Sequence, residues 1–295
     1  MSTRDLPIVV GVDESPCTTA AIRWALGEAR VSDRPLKLVT AYRQAVVIIP
    51  APHIVTTPEL IGHDVRADAL RLVEQAASES QGLAPDVEIT TEAVEGSPVD
   101  VLLEQGETAG LLVLGSRQLH ALGSFLFGSV GHAVAARSSC PTVIVRGRSG
   151  EEFDGGDILV GIGPADRTHA ALSFAFAEAT RHGVGLHALR IWNTPLWPSE
   201  SLKDEYVERS WEQENAELAD LVSGWQRKYP DVKATSELTH GHPAAMLAAR
   251  SAGKSLVVVG NHPHAPLVGG IFGSVSQAVV HHASCPVAVV PVKVA

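Results

Sequence analysis

DVEITTEAVEGSPVDVLLEQGETAGLLVLG, residues 86–115, stands against DVKATSELTHGHPAAMLAARSAGKSLVVVG, residues 231–260, without a gap. Two shorter pairs keep the same register. FGSVGHAV (127–134) matches FGSVSQAV (272–279), and SCPTVIV (139–145) matches SCPVAVV (284–290), all at one offset of 145 residues. Upstream, IVVGVD (8–13) matches ILVGIG (158–163), and TAY (40–42) lies opposite RIW (190–192), both at an offset of 150. The change of offset places a length difference of five between the second strand and the DVEI segment. A repeat this long is a whole domain rather than a solenoid unit. The joint falls in RGRSGEEFDGGD (146–157), which is glycine-rich and charged as linkers are. The chain therefore divides into a first domain, 1–147, and a second, 156–295.

Each copy alternates short aliphatic runs with longer amphipathic stretches. In the first copy the runs are Ile8–Val12, Leu36–Ala41, Val87–Ala93, Leu111–Leu114 and Thr142–Val145. In the second they are Ile158–Ile162, Leu186–Ile191, Val232–Leu238, Leu256–Val259 and Val287–Val290. They are nearly continuous, as suits parallel strands buried on both faces. Helices are expected over Thr18–Ala29, Pro58–Ser80, Pro98–Gly106 and Ser129–Arg137, with counterparts in the second copy. The expected fold is α/β: two tandem doubly wound domains, each a five-stranded parallel sheet with flanking helices and right-handed crossovers. Val143–Val145 and Val287–Val290 would be exposed apolar edges, so the two copies should pair through their last strands.

The bulk properties narrow the function. Of 295 residues, 45% are hydrophobic and 19% charged, which favours a packed core over disorder. The net charge of −10 and pI of about 5.7 repel nucleic acid and anionic membrane surfaces, so neither is expected as a partner. The opening MSTRDLPIVVGVDES has no apolar signal core, and three cysteines without a framework fit a reducing compartment. A cytoplasmic protein is expected.

Ligands of doubly wound sheets bind outside the carboxyl ends of the strands. At that edge the first strand ends in Gly11-Val12-Asp13-Glu14-Ser15-Pro16. The Asp13 carboxylate can accept from an adenine amino group or a ribose hydroxyl; alternatively Asp13 or Ser15 caps the helix that follows. The fourth strand ends in Gly115-Ser116-Arg117-Gln118, and Gly128-Ser129-Val130 opens the next helix. Backbone N–H groups at a helix start form an anion site, and glycine lets backbone approach a phosphate. The plain alternative is an ordinary loop with a serine cap. Gly260 and Gly273-Ser274-Val275 repeat the spacing in the second copy.

With VVGVDES at its start, the loop ending LFGSV and the closing SSCPTVIV, the chain resembles a tandem universal stress protein of the actinobacterial type over essentially its whole length. The resemblance implies ATP, with or without Mg²⁺, as ligand. It assigns Gly11, Val12 and Asp13 to the adenosine end, Ala41 to the adenine flank, and Gly115, Ser116, Arg117, Gly128, Ser129 and Val130 to ribose and phosphates. Gly161, Gly260, Gly273, Ser274 and Val275 are the second copy's counterparts. It also implies pairing of edge strands within the chain, with a homodimer or other self-association as a further partner call.

The second copy departs from the pattern. Gly163 replaces the aspartate, Pro263 stands in the loop where it offers no N–H, and His262 replaces Arg117. Gln118 stands where the family has glycine in the first copy. The second site should therefore bind nucleotide more weakly or not at all. A ligand-free scaffold and a slow ATPase are the other readings, although no lysine or acidic cluster is set for phosphoryl transfer. His240, His242, His262, His264, His281 and His282 show no metal-ligand spacing. Cys140 and Cys285 read as small buried residues. Cys17, near a helix start, is the thiol placed for activation.

Overall fold

The computed structural model describes residues 6–44, 64–116, 128–146, 155–163, 165–192, 203–261 and 273–292. The first half runs β1 (Ile8–Gly11), α1 (Cys17–Ser32), β2 (Leu36–Tyr42), α2 (Val65–Leu83), β3 (Ile89–Glu95), α3 (Pro98–Thr108), β4 (Leu111–Ser116), α4 (Ser129–Arg137) and β5 (Thr142–Arg146). The second runs β6 (Ile158–Ile162), α5 (Ala165–His182), β7 (Leu186–Trp192), α6 (Lys203–Gln226), β8 (Ala234–His240), α7 (Pro243–Arg250), β9 (Leu256–Asn261), α8 (Ser274–His282) and β10 (Val287–Pro291).

Local chemistry sets many of these boundaries. Pro98 and Pro243 open α3 and α7, where the missing proline N–H costs nothing and φ is already helical. The turn after α1 puts Asp33 in the left-handed region at φ 52°, and the matching turn after α5 uses Gly183 at φ 65°. The second repeat thus has the residue that bears this conformation without a Cβ clash.

The ten strands form one sheet in the order β3-β2-β1-β4-β5-β10-β9-β6-β7-β8. Within each half every pairing is parallel, with Ile8 opposite both Leu36 and Leu111, and Ile158 opposite both Leu186 and Leu256. The halves join where β10 runs antiparallel to β5, pairing Val287 with Ile144 and Val289 with Thr142. The last strands therefore cover each other, as the exposed-edge argument requires. Two cores fill the faces of the sheet. One packs Ile8, Val10 and Val160 under α1, α2, α5 and α6; the other packs Val9, Leu112 and Leu159 under α3, α4, α7 and α8. Both cores run through the junction.

The expected helix over Pro58–Ser80 begins in residues outside those described; its described part is α2, which continues to Leu83. The third strand of each copy is shifted two residues later than expected, to Ile89–Glu95 and Ala234–His240. These strands are the outer edges of the sheet and are largely half-buried or exposed, unlike the central ones. A continuous aliphatic run describes strands covered on both faces, so it points to the wrong residues at an edge.

Side chains also cross the junction. Arg146, at the end of β5, donates to the Val280 and Ala283 carbonyls at the end of α8. Asn261, at the end of β9, donates to the Ala135 and Ala136 carbonyls at the end of α4, at 3.3 and 2.7 Å. Each half thus satisfies helix-terminal acceptors of the other.

Candidate functional site

In the first half the strand order reverses between β1 and β4, and the carboxyl ends of two neighbouring strands diverge there. A cavity of about 400 Å³ opens at this point. Its floor and walls are Gly11, Val12, Asp13, Val39, Thr40, Ala41, Leu114 and Gly115, with Pro98, Val101 and Leu102 from α3 and Gly128, Ser129, Val130 and Gly131 from the start of α4. Such a volume lies in the ordinary range for small-molecule sites.

Eight of the first-copy residues singled out in the sequence converge here: Gly11, Val12, Asp13, Ala41, Gly115, Gly128, Ser129 and Val130. Ser116 does not line the cavity; it is buried at the end of β4. Arg117 and Gln118 lie outside the described residues, as do His262, Pro263 and His264. Thr18, Val39, Thr40, Pro98, Val101, Leu102, Leu114 and Gly131 were not anticipated. Most are apolar, and their sequence signal cannot be told from that of the core.

Asp13 is held from behind. Its Oδ1 accepts from Ser15 N at 3.0 Å, Ser15 Oγ at 2.5 Å and Thr18 Oγ1 at 2.7 Å. The Thr18 hydroxyl in turn accepts from Asp13 N at 3.2 Å. The capping alternative is corrected: Pro16, not Asp13 or Ser15, occupies the cap position of α1, and Thr18 N–H donates to the Ser15 carbonyl at 3.1 Å. Pro16 fixes the turn, and the short Asp13–Ser15 and Asp13–Thr18 bonds orient the carboxylate at the cavity rim.

The opposite end of the cavity is a helix start. Gly128 is the cap residue of α4, with φ −57° and ψ 143° and no side-chain cap bond, so Ser129 is the first helical residue rather than a serine cap. The first intrahelical bond is His132 N–H to the Gly128 carbonyl at 3.1 Å. The N–H groups of Ser129, Val130 and Gly131 precede it and lack an intrahelical acceptor, which leaves them for an anion.

The glycines divide by purpose. A Cβ on Gly115 would sit 2.6 Å from the Cys17 carbonyl oxygen, so this glycine lets α1 pack on β4. Its backbone lines the cavity as well. A Cβ on Gly11 would meet Leu114 at 2.7 Å. Gly128 differs: a Cβ there would meet no described residue within 4 Å, and its φ is ordinary. Neither packing among the described residues nor backbone strain explains it. Cys17 is the first residue of α1 and is only 5% exposed, so its position at the helix start does not make it an accessible thiol. Burial likewise pushes the Cys140 thiol above its ordinary value.

The corresponding region of the second half is built differently. Gly161 lies in β6 against Leu247, Gly260 in β9, and Gly273, Ser274 and Val275 at the start of α8. Thr168 repeats Thr18 and donates to the Gly163 carbonyl at 3.1 Å, and Gly163 offers no carboxylate where Asp13 does. Two losses escaped the sequence reading. Ile191 stands where Ala41 lines the first cavity, and it packs against the core. Ser276 stands where the first copy has Gly131, is buried, and donates to the Gly260 carbonyl at 2.9 Å. Gly273 is buried where Gly128 is exposed.

The universal stress protein family profile matches this chain twice, over residues 6–146 and 156–291. The chain belongs to the universal stress protein family. A universal stress protein of Mycolicibacterium smegmatis is 34% identical over 98% of both chains. One of Mycobacterium tuberculosis is 33% identical over 96% of both. Among solved structures, a universal stress protein from Archaeoglobus fulgidus superposes with a TM-score of 0.68 at 17% identity, covering 99% of each chain. A Pseudomonas aeruginosa protein of unknown function gives the same TM-score at 14% identity, covering 99% of this chain and 94% of its own. These structures share the fold. As a universal stress protein the chain has a stress-response role. No helix among its described residues is long and apolar enough to cross a membrane.

Proposed function

We propose that this universal stress protein binds ATP in its first half and responds through ligand-dependent conformation or association rather than turnover. The observation that carries the reading is the single cavity joining the anchored Asp13 carboxylate to the open start of α4. Between them, Val39, Ala41, Val101 and Leu102 make an apolar wall suited to the face of a purine. Asp13 accepts from the adenosine part, and the α4 N-terminus, with its partial positive charge, receives phosphate. Among the described residues nothing stands in front of Gly128, where a phosphate would sit. Asp13 is the only carboxylate among the described lining residues, so Mg²⁺ would be carried by phosphates and water rather than by a protein cage.

The second half is proposed to bind ATP more weakly or not at all. Gly163 removes the carboxylate, Ile191 adds bulk at the purine wall, and Ser276 occupies a carbonyl at the phosphate end. Calorimetric titration of the full chain should give a stoichiometry near one ATP. Asp13→Ala should weaken binding roughly 5- to 150-fold, equivalent to about 1–3 kcal/mol for a hydrogen bond to a charged group. Ala41→Ile should weaken it by about tenfold or more. Two equivalent sites per chain, or unchanged affinity in both variants, would overturn the assignment.

A further inference from the structure

The densest buried charge lies away from the cavity, where α1 meets α5 across the domain junction. Glu28 and Glu178 occupy the same position in the two repeats, so the pseudo-symmetry sets one carboxylate against its own copy. Their side chains are 1% and 5% exposed. Arg181 donates to Glu28 Oε1 at 3.0 Å and to Glu178 Oε1 at 2.5 Å. His182 Nε2 lies 2.7 Å from Glu28 Oε2 and 3.8 Å from Glu178 Oε2. Arg34 adds positive charge nearby, but its N–H groups go to the Leu6 and Pro7 carbonyls.

One atom of this cluster is left over. Glu178 Oε2 is buried without a hydrogen-bond partner. An unpaired buried carboxylate oxygen is costly. The orphan oxygen belongs to a triangle of three donor atoms, one imidazole nitrogen and two carboxylate oxygens, all within 4.8 Å of one another. Tetrahedral coordination at about 2.0–2.1 Å needs donor–donor edges of about 3.3 Å. The His182 edges of 2.7 and 3.8 Å fall on either side of that length.

We propose that Glu28, Glu178 and His182 form an interdomain site for a divalent cation of the zinc class. The imidazole favours zinc, cobalt or nickel over magnesium and calcium, which prefer all-oxygen shells. Glu178 and His182 stand one turn apart on one face of α5, and Glu28 completes the site from the other half. On binding, His182 Nε2 gives up the hydrogen it directs at Glu28 Oε2, leaving the ring hydrogen on Nδ1, any carboxyl proton is released to solvent, and Nε2 and the two Oε2 atoms ligate the ion. Arg181, 29% exposed, releases its carboxylates and turns outward, and water fills the opening as fourth ligand. The ion then clamps the two halves together.

The test is titration of the metal-free full chain with zinc chloride alone, followed by calorimetry and thermal denaturation. One ion per chain and a raised Tm are expected, and Co²⁺ should give visible absorption bands. Glu178→Gln, which keeps the shape of the neutral carboxyl, and His182→Ala should each weaken binding at least tenfold. A His281→Ala/His282→Ala double variant should bind as the parent does. Arg181→Ala keeps all three ligands and opens the approach, so it should bind more tightly. Absence of saturable zinc binding would overturn the proposal. So would affinity that Glu178→Gln and His182→Ala leave unchanged, or an Arg181→Ala variant that binds no tighter than the parent.

Discussion

The Asn261 side-chain amide, at the end of the second domain's β9, donates to the Ala136 carbonyl of the first domain's α4 at 2.7 Å. The same amide reaches the Ala135 carbonyl at 3.3 Å. The N-terminus of α4 lines the first cavity, so the helix proposed to face a phosphate is fastened at its other end by the opposite half. Asn261→Leu should lower the stability of the full chain by about 1–3 kcal/mol, because buried carbonyls lose their donor. Urea denaturation would show this as a lower midpoint. An unchanged midpoint would mean that water replaces the amide without cost.

The two glycines of the first site should respond oppositely to one methyl group. Gly115→Ala places a Cβ 2.6 Å from the Cys17 carbonyl oxygen, a backbone atom that cannot swing aside. It should cost about 1–3 kcal/mol of stability, as overpacking does. Gly128→Ala meets no described residue within 4 Å and needs no unusual φ, so the fold should be unaffected. ATP affinity should nonetheless fall in Gly128→Ala, because the methyl occupies the space in front of the helix start. Thermal denaturation and ATP titration of both variants separate the two effects. Equal affinity in Gly128→Ala and the parent would argue against phosphate at this position.

All three thiols are buried, and burial pushes the Cys140 thiol above its ordinary value of 9.0. The neutral thiol is therefore favoured by folding. That contribution to stability is complete below the unfolded-state pKa and is lost as pH rises through it toward the folded-state pKa. Iodoacetamide at mildly alkaline pH should leave the native chain unmodified and add three groups after urea unfolding, as read by mass spectrometry. Rapid alkylation of Cys17 in the native protein would restore the idea of an activated thiol at the α1 start.

The repeat and its aliphatic runs carried most of the fold. Offsets of 145 and 150 placed both sets of five strands, and the open edges at Val143–Val145 and Val287–Val290 required the junction that joins them into one sheet. Edge strands β3 and β8 were placed less well, because their exposed faces interrupt the aliphatic pattern. Strand-end and helix-start residues of the first cavity were legible because glycine and aspartate there serve backbone and charge. Val101, Leu102 and Val39 were not, since a cavity wall and a core use the same side chains. Ser276 and Ile191 could have been read by asking what replaces each lining residue at the repeat offset, once Gly131 and Ala41 were known to face the site. Glu28 and His182 lie 154 residues apart and become neighbours only through the junction.

Because β5 and β10 belong to one chain, their docking is unimolecular and does not loosen on dilution. In a pair of separate identical copies, every substitution at the junction appears on both sides of the symmetry axis. Here each side varies alone. Arg181 and His182 answer to Val31 and Ser32 in the first repeat, so a single guanidinium and a single imidazole attend two carboxylates. A symmetric pair would crowd two of each into the same space. Covalent linkage gives the assembly a front and a back: one half can specialise in the ligand while the other is held as its permanent, unequal counterpart.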